Sequence, residues 1–479
     1  MNKKVFLLLG GIAVCATGCT MASKYTRPPA PVPAEWPSGP AYEQSRALTN
    51  APSAPDLDWR EFFTDEKLQQ VIGIALMNNR DLRLAALNVE RTRALYGIQR
   101  AELLTTVDAM GSGGKQRTSA DLTQPGQPLT TERYDVSLGI VSWEIDFFGR
   151  IRSLKNRALE EYLATKQARR SAQILLVSEV ARVYLILAAD MENLQIAQST
   201  LETQQAAYGL IKKRFDAGLA NKLDLRRAQI PVDVARGDIA RYRQMVAQDQ
   251  NTLNFLASDS FPVPKESLPV NLSSVTPPKE ISPGLSSEVL LRRPDILAAE
   301  HRLRGAYAFI GAARAAFFPR ISLTTSVGTA SDELSGLFSS EADTWNFTPQ
   351  VVMPIFDART WAALRVSKVD RKIVLTQYEK TIQKAFREVS DALAVQGTID
   401  QQVSAQQSLV NAVAETYRLS GERYTKGIDS YLGVLDAQRS LFAAQQGLVS
   451  LRLAKFVNQV RLYAVLGGGG DQSAASHGE

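Results

Sequence analysis

Apolar positions along this chain switch between two periods, and they do so twice. From Asp65 to about Leu103 the sequence lacks proline and is rich in Leu, Ala, Arg and Gln, which predicts a helix. Over about 104–146 glycines appear, with a turn cluster at Gln124-Pro125-Gly126-Gln127-Pro128. There Tyr134, Val136, Leu138 and Ile140 interleave with Asp135, Ser137, Gly139 and Val141. A period of two with one apolar and one small, polar face predicts a hairpin. From about Phe148 to Phe215 apolar residues fall at Leu176, Val180, Val183, Leu187, Leu194, Ala197 and Leu201, the four-three spacing of a coiled-coil seam. At about 1.5 Å per residue this stretch makes a rod of roughly 100 Å. Beyond Gly218 a second helix returns through Leu225 and Ala228 to about Ala257, with Pro231 as a candidate kink.

The programme then repeats. A helix from about Ser287 to Phe317 leads into Ile321, Leu323, Thr325 and Val327 alternating with Ser322, Thr324, Ser326 and Gly328. A turn near Ser335-Gly336 follows, then a strand with Trp345, Phe347, Val351, Met353 and Ile355 on one parity. A second rod begins near Thr360 with Ile382, Phe386, Val389 and Leu393 in its seam. Pro349 is awkward in a closed ladder and marks a candidate bulge or strand end.

The two halves align residue by residue. Arg214-Phe215-Asp216-Ala217-Gly218 stands in register with Arg423-Tyr424-Thr425-Lys426-Gly427, and Glu179-Val180 with Glu388-Val389, at a common offset of 209. Asp81-Leu82 matches Asp295-Ile296 at an offset of 214. Such spacing is far longer than a solenoid repeat, so a whole helix–hairpin–rod unit has been duplicated. Each turn glycine is placed to end its rod in the left-handed conformation.

The chain begins with Lys3-Lys4, an apolar run from Val5 to Val14 and Ala16-Thr17-Gly18-Cys19, the layout of a secretory signal. Small residues before Cys19 also fit a lipobox that makes this cysteine the lipid-bearing first residue of the mature protein. The other reading is an ordinary cleaved signal with Cys19 incidental. Acylation would leave no thiol for metal, disulfide or nucleophile chemistry. The boundaries are a signal peptide (1–18), a lipidated proline-rich arm (19–60), a first repeat (61–260), a proline-rich connector (261–286), a second repeat (287–466) and a disordered tail (467–479). The formal charge of +6 comes from Lys and Arg interleaved with acids on helices, which is solvated surface and not a nucleic-acid footprint. No apolar run after the signal is long enough for a transmembrane helix.

Any membrane crossing therefore falls to strands, and four per chain cannot close a barrel, since the smallest need about eight. An open edge in lipid would leave backbone groups unpaired at several kcal/mol each. Pooled strands solve this, and three copies would supply about twelve. The competing reading of the same alternation is a soluble sandwich.

Several ordered motifs carry a family resemblance: the Cys19 lipobox, Trp59–Phe63, Asn78-Asn79-Arg80-Asp81-Leu82, Trp143-Glu144-Ile145-Asp146-Phe147-Phe148-Gly149-Arg150, Leu291-Arg292-Arg293-Pro294-Asp295-Ile296 and Leu435-Asp436-Ala437-Gln438-Arg439-Ser440. The chain resembles TolC-like outer-membrane factors, specifically the OprM-like, NodT-type efflux lipoproteins. The resemblance implies a membrane α+β fold, with a trimeric twelve-strand outer-membrane β-barrel continued by a coiled-coil α-helical periplasmic tunnel. It implies a homotrimer partnered by outer-membrane lipid, a periplasmic adaptor (membrane fusion) protein and an inner-membrane resistance-nodulation-division pump. It also implies a lipid-anchored Gram-negative outer-membrane location, with no cofactor beyond the lipid on Cys19 and no nucleic-acid partner.

The implied role is a passive efflux duct for drugs and other amphiphiles, gated at its periplasmic end. Leu432, Asp436 and Arg439 match family positions that line that closed end, where three copies would form leucine and carboxylate rings. Read without the family, Asp436 and Arg439 are an ordinary exposed pair. Arg214, Gly218, Leu419, Ser420, Arg423 and Gly427 cap the rods and are the expected adaptor contacts, while simple helix-turn chemistry accounts equally for the glycines. His301 reads as a helix-packing residue, and no P-loop, dinucleotide, GxSxG or metal spacing points to an enzyme. Alternatives are a duct for type I protein secretion and a structural coiled-coil envelope protein.

Overall fold

Each half starts with a helix that breaks at one residue before it enters the sheet. The computed structural model describes residues 20–43, 52–124, 126–257, 263–282 and 286–469. In the first half α1 (Trp59–Phe62), α2 (Glu66–Asn78) and α3 (Arg80–Ala101) precede β1 (Asp108–Arg117) and β2 (Thr130–Ile145). The long helix α4 (Arg150–Asp216) and the returning helix α5 (Lys222–Ala257) follow. The second half runs through a 3-10 turn (Ser287–Arg292), α6 (Pro294–Ala315), β3 (Arg320–Ser331), β4 (Asp343–Val352), α7 (Ala358–Thr425) and α8 (Tyr431–Val465).

The continuous helices expected over Asp65–Leu103 and Ser287–Phe317 are both interrupted, at equivalent positions. Asn79 is extended, its side chain accepts from the Leu82 amide at 3.0 Å and donates to the Leu256 carbonyl at 3.0 Å, so it caps one helix as it ends another. At the matching place Arg293 is extended because Pro294 follows it, and Pro294 opens α6. By contrast α5 runs helically through Pro231.

The chain divides into two units. The first holds residues to 29, 88–165 and 298–378 and contains the sheet. Its strands lie antiparallel in the order β1-β2-β3-β4, so both hairpins join through β2–β3. The register puts Val136, Leu138, Val327, Trp345 and Phe347 on one face, and Ser137, Asp135, Ser326, Asn346 and Thr344 on the other. The irregularity expected at Pro349 lies elsewhere: Pro349 pairs in regular register with Leu323. The bulge sits in β2 between Ile140 and Trp143, with Ser142 at φ 55° and its amide donating to Thr324 Oγ1 at 3.3 Å. The extra residue shifts the phase, which returns Trp143 and Ile145 to the apolar face and sends Glu144 to the polar one. Gly139 lets the polar face close up, since a Cβ there would meet the Thr325 carbonyl oxygen at 2.5 Å.

Both long helices start on an aspartate. Asp146 accepts from the amides of Ile151 and Arg152 at 3.2 and 2.9 Å, and Asp357 from that of Arg359 at 2.9 Å. Glu144 is clamped by Arg150 at 2.8 Å and Arg320 at 2.8 Å, which ties the strand ends to the start of α4. His301 packs on α4 through Glu160 at 2.7 Å. The arm also docks in this unit: Arg27 and Tyr25 bond Glu300 at 2.5 and 3.1 Å, and Ala22 lies over Gly311 where a Cβ would intrude.

The second unit holds residues 30–87, 166–297 and from 379 onward. Of the predicted seams, Leu176, Val180, Val183, Leu187 and Ala197 in the first and Ile382, Val389 and Leu393 in the second are buried, while Leu194, Leu201 and Phe386 are half-buried. Phe62 stacks on Tyr463 at 3.9 Å, and the Tyr463 hydroxyl donates to the Leu57 carbonyl at 2.7 Å. Arg293, 9% exposed, bonds Asp295, Glu388 and the Val465 carbonyl, which gives the Arg-Arg-Pro-Asp motif its structural role. The tail expected to be disordered begins in order: Gly467 and Gly468 donate to the carbonyls of Ala464 and Tyr463 at 2.9 Å and cap α8. Cys19 and the signal peptide, like the tail from 470 onward, lie outside the described residues.

Candidate functional site

The polar face of the sheet carries a row of small or uncharged side chains, Ser112, Ser137, Ser326, Asn346, Thr348 and Gln350, on a lattice with glycines at 114, 139 and 328. Short polar side chains leave room for water beside them. The opposite face exposes Trp345 at 80%, together with Phe347, Val351 and Val327. Among the described residues of one chain, no strand pairs with β1 or β4 on its outer side. A sheet with one greasy and one wet face and two open edges becomes complete only by joining copies of itself.

At the turns of the second unit the two repeats share one conformation. Gly218 and Gly427 both have φ 72°, the amides of Leu219 and Ile428 reach back to the carbonyls of Arg214 and Arg423 at 2.7 and 3.0 Å, and the glycine amides bond Phe215 and Tyr424 at 2.9 and 3.0 Å. This is a Schellman closure in each copy, available to glycine because φ is positive. Arg214 Nη1 donates to the Tyr424 hydroxyl at 2.8 Å and lies over its ring, so the structure brings the two turns together. Arg423 holds Asp429 at 2.5 and 3.1 Å. Leu419 is 44% exposed, and Arg418 beside it is gripped by Glu415 and Glu422, carboxylates that raise its pKa further. Tyr431 packs on Tyr424 at 5.2 Å, and burial pushes its hydroxyl up to about 12.

Leu432, Asp436 and Arg439 follow the second turn on one stripe of α8. Arg439 stands 3.8 Å from Asp436 with both side chains largely exposed, a loose pair in which neither charge is committed. A cavity of about 180 Å³ lies beside them, lined by Leu432, Leu435, Arg439 and Phe442 together with Arg227, Ile230 and Pro231. Arg227 and Ile230 are the repeat equivalents of Asp436 and Arg439, so positions at which the two copies differ come together in one place.

Three groups escaped the sequence reading. The β2 bulge had a signal in the apolar parity, which passes from even to odd between Ile140 and Val141. The Glu144 clamp and the Arg214–Tyr424 contact depend on residues distant in sequence and had none.

Residues 71–258 and 285–468 match the family described as Outer membrane efflux protein. The antibiotic efflux pump outer membrane protein ArpC of Pseudomonas putida is 46% identical over 468 residues, covering 97% of this chain and 96% of that protein. Cation efflux system protein CusC of Escherichia coli O6:H1 is 40% identical over 462 residues, covering 96% and 98%. The solved open state of the Neisseria gonorrhoeae MtrE outer membrane channel matches with a TM-score of 0.84 at 36% identity, covering 94% of this chain and 98% of that one. Since the match takes in both repeats and relatives align over nearly the whole length, the chain belongs to the outer membrane efflux protein family. Its members are TolC-like Gram-negative transport ducts rather than enzymes, in which three chains pool their strands into one closed barrel continued by periplasmic helices.

Proposed function

We propose that this chain is the passive exit duct of a three-part pump for drugs and other amphiphiles, closed at its periplasmic end by Leu432, Asp436 and Arg439. Energy comes from an inner-membrane pump of the resistance-nodulation-division class. A periplasmic adaptor joins the two at the turns around Arg214, Gly218, Leu419, Ser420, Arg423 and Gly427. A lipid on Cys19 tethers the arm to the membrane, and the intact mass of the purified protein reads that acylation directly.

The observation that carries the gate is the exposed stripe on α8. In three copies, Leu432 and Asp436 repeat around one axis as an apolar ring and a charged ring, the two barriers that channels use against water and ions. The loose Asp436–Arg439 contact supports a switch, because an exposed pair costs little to break. The relatives named for antibiotics and for cations share this duct, which supports selection by the pump upstream rather than by the channel wall. Replacing Asp436 and Arg439 together by alanine should raise resting conductance in planar bilayers severalfold. A double variant that conducts like the parent removes the gate assignment and leaves the duct reading intact.

A further inference from the structure

The α4–α5 pair contains a polar contact that channel architecture does not require. Asp190 on α4 is 6% exposed and faces Asp249 on α5. One oxygen of each, Oδ2, is shut away from solvent with no hydrogen-bond donor. Asn193, one turn further along α4, supports Asp190 through its amide. The nearest cations are already engaged: Arg182 grips Glu179 at 2.5 and 2.8 Å, and Arg241 holds Asp238 at 3.0 Å. On α8 the facing groups are Arg452, 3.9 Å from Glu192, and Gln446, which donates to the Tyr242 hydroxyl of α5 at 2.7 Å. Beside α2, Asp65 is spent on the amides of Leu68 and Thr276. The acids around the pair thus outnumber the guanidiniums. Two buried carboxylate oxygens with no protein donor between them call for a proton, a water or a metal ion.

We propose that Asp190 and Asp249 share one proton, a carboxyl of one donating to the carboxylate of the other, so that the periplasmic α4–α5 pair is held by a clasp that loosens as pH rises. Burial pushes both groups up, and the neighbouring Asp190 carries Asp249 further, to about 7. The folded protein then holds a proton that the unfolded chain releases near pH 4. The clasp's contribution is full below that value, falls by up to about tenfold in the folding equilibrium per pH unit as pH climbs toward neutrality, and is constant above.

The duplication supplies the control. At the shared offset of 209, the second repeat carries Ile399 and Asn458, 5% and 6% exposed. The Asn458 amide donates to the Ala392 carbonyl at 3.0 Å whatever the pH. At these matched positions the first helical pair carries two carboxyls and the second carries none. Tyr242 of α5 shares a small apolar core with Ala197, Ile239 and Phe442 of α8, so a change in the clasp is felt on the helix of the second repeat.

The test uses the full-length trimer in detergent, as the parent, as Asp249→Asn, and as Asp190→Ile with Asp249→Asn, which installs the second repeat's pair. Infrared difference spectra should show a protonated-carboxyl band titrating near neutral pH in the parent and absent from both variants. Denaturant unfolding of the parent should accelerate between pH 5 and 8, while both variants lose that slope. A parent without the band, or variants that keep the parental slope, overturns the proposal. So does slower parental unfolding with added Ca²⁺ or Mg²⁺ at fixed pH that Asp249→Asn abolishes, since a metal ion would then fill the site.

Discussion

The helical pairs α4–α5 and α7–α8 close with turns of equal geometry, yet they bury different chemistry beneath them and expose different chemistry beside them. Where backbone conformation is at stake, at Gly218 and Gly427, duplication has kept residue and dihedral alike. Where a side chain can be replaced by another that fills the same volume, the copies have parted: Asp190 and Asp249 against Ile399 and Asn458, Arg227 and Ile230 against Asp436 and Arg439. A φ of 72° admits few residues, whereas a buried contact between helices has several solutions. Functional asymmetry therefore arises in the side chains of a symmetric scaffold.

The comparison is broken hardest at the helix interruptions. Arg293→Ala removes the buried guanidinium that joins Asp295, Glu388 and the Val465 carbonyl, a loss of about 1.5–3 kcal/mol. Its counterpart Asn79→Ala removes a helix cap, at about 1 kcal/mol. Denaturant midpoints of the two variants should rank in that order, and equal losses would mean that the Arg293 network is no more than a cap. Next come the turns. A methyl at Gly218 or Gly427 meets nothing within 4 Å, so alanine at either costs only the left-handed backbone, about 1–2 kcal/mol and the same in both. Unequal losses would show that the two turns feel different surroundings. The smallest effect belongs to Tyr424→Phe, which gives the second turn the residue of the first, Phe215, and deletes the acceptor of Arg214. About 0.5 kcal/mol is expected, with wild-type conductance.

Most of the fold was legible because its determinants are periodic or local. Alternation named the strands, four-three spacing named the rods, and one glycine in each copy named the turns. What escaped notice is contextual. Asn79 looked like one polar residue in a long helix, since nothing local shows that its amide must also satisfy the Leu256 carbonyl. Pro349 drew attention as a ladder breaker, yet it keeps the register of its strand, and the irregularity fell at Ser142, where the parity change was there to be counted. Asp190 and Asp249 read as surface charges on amphipathic helices, and only the turn at Gly218 folds one against the other. The gate stripe was legible through family likeness, while its position on a shared cavity with Arg227 and Ile230 required the helices to be in place.

The strand order β1-β2-β3-β4 has a genetic consequence. With β1 and β4 at the two edges, every chain in the trimer takes part in two seams, β1 against one neighbour and β4 against the other. A subunit unable to present either edge leaves a gap that two sound partners cannot bridge, so a single faulty copy spoils the ring for its companions. Alleles that damage an outer strand while leaving the other edge able to assemble are thus built to be dominant over the normal gene.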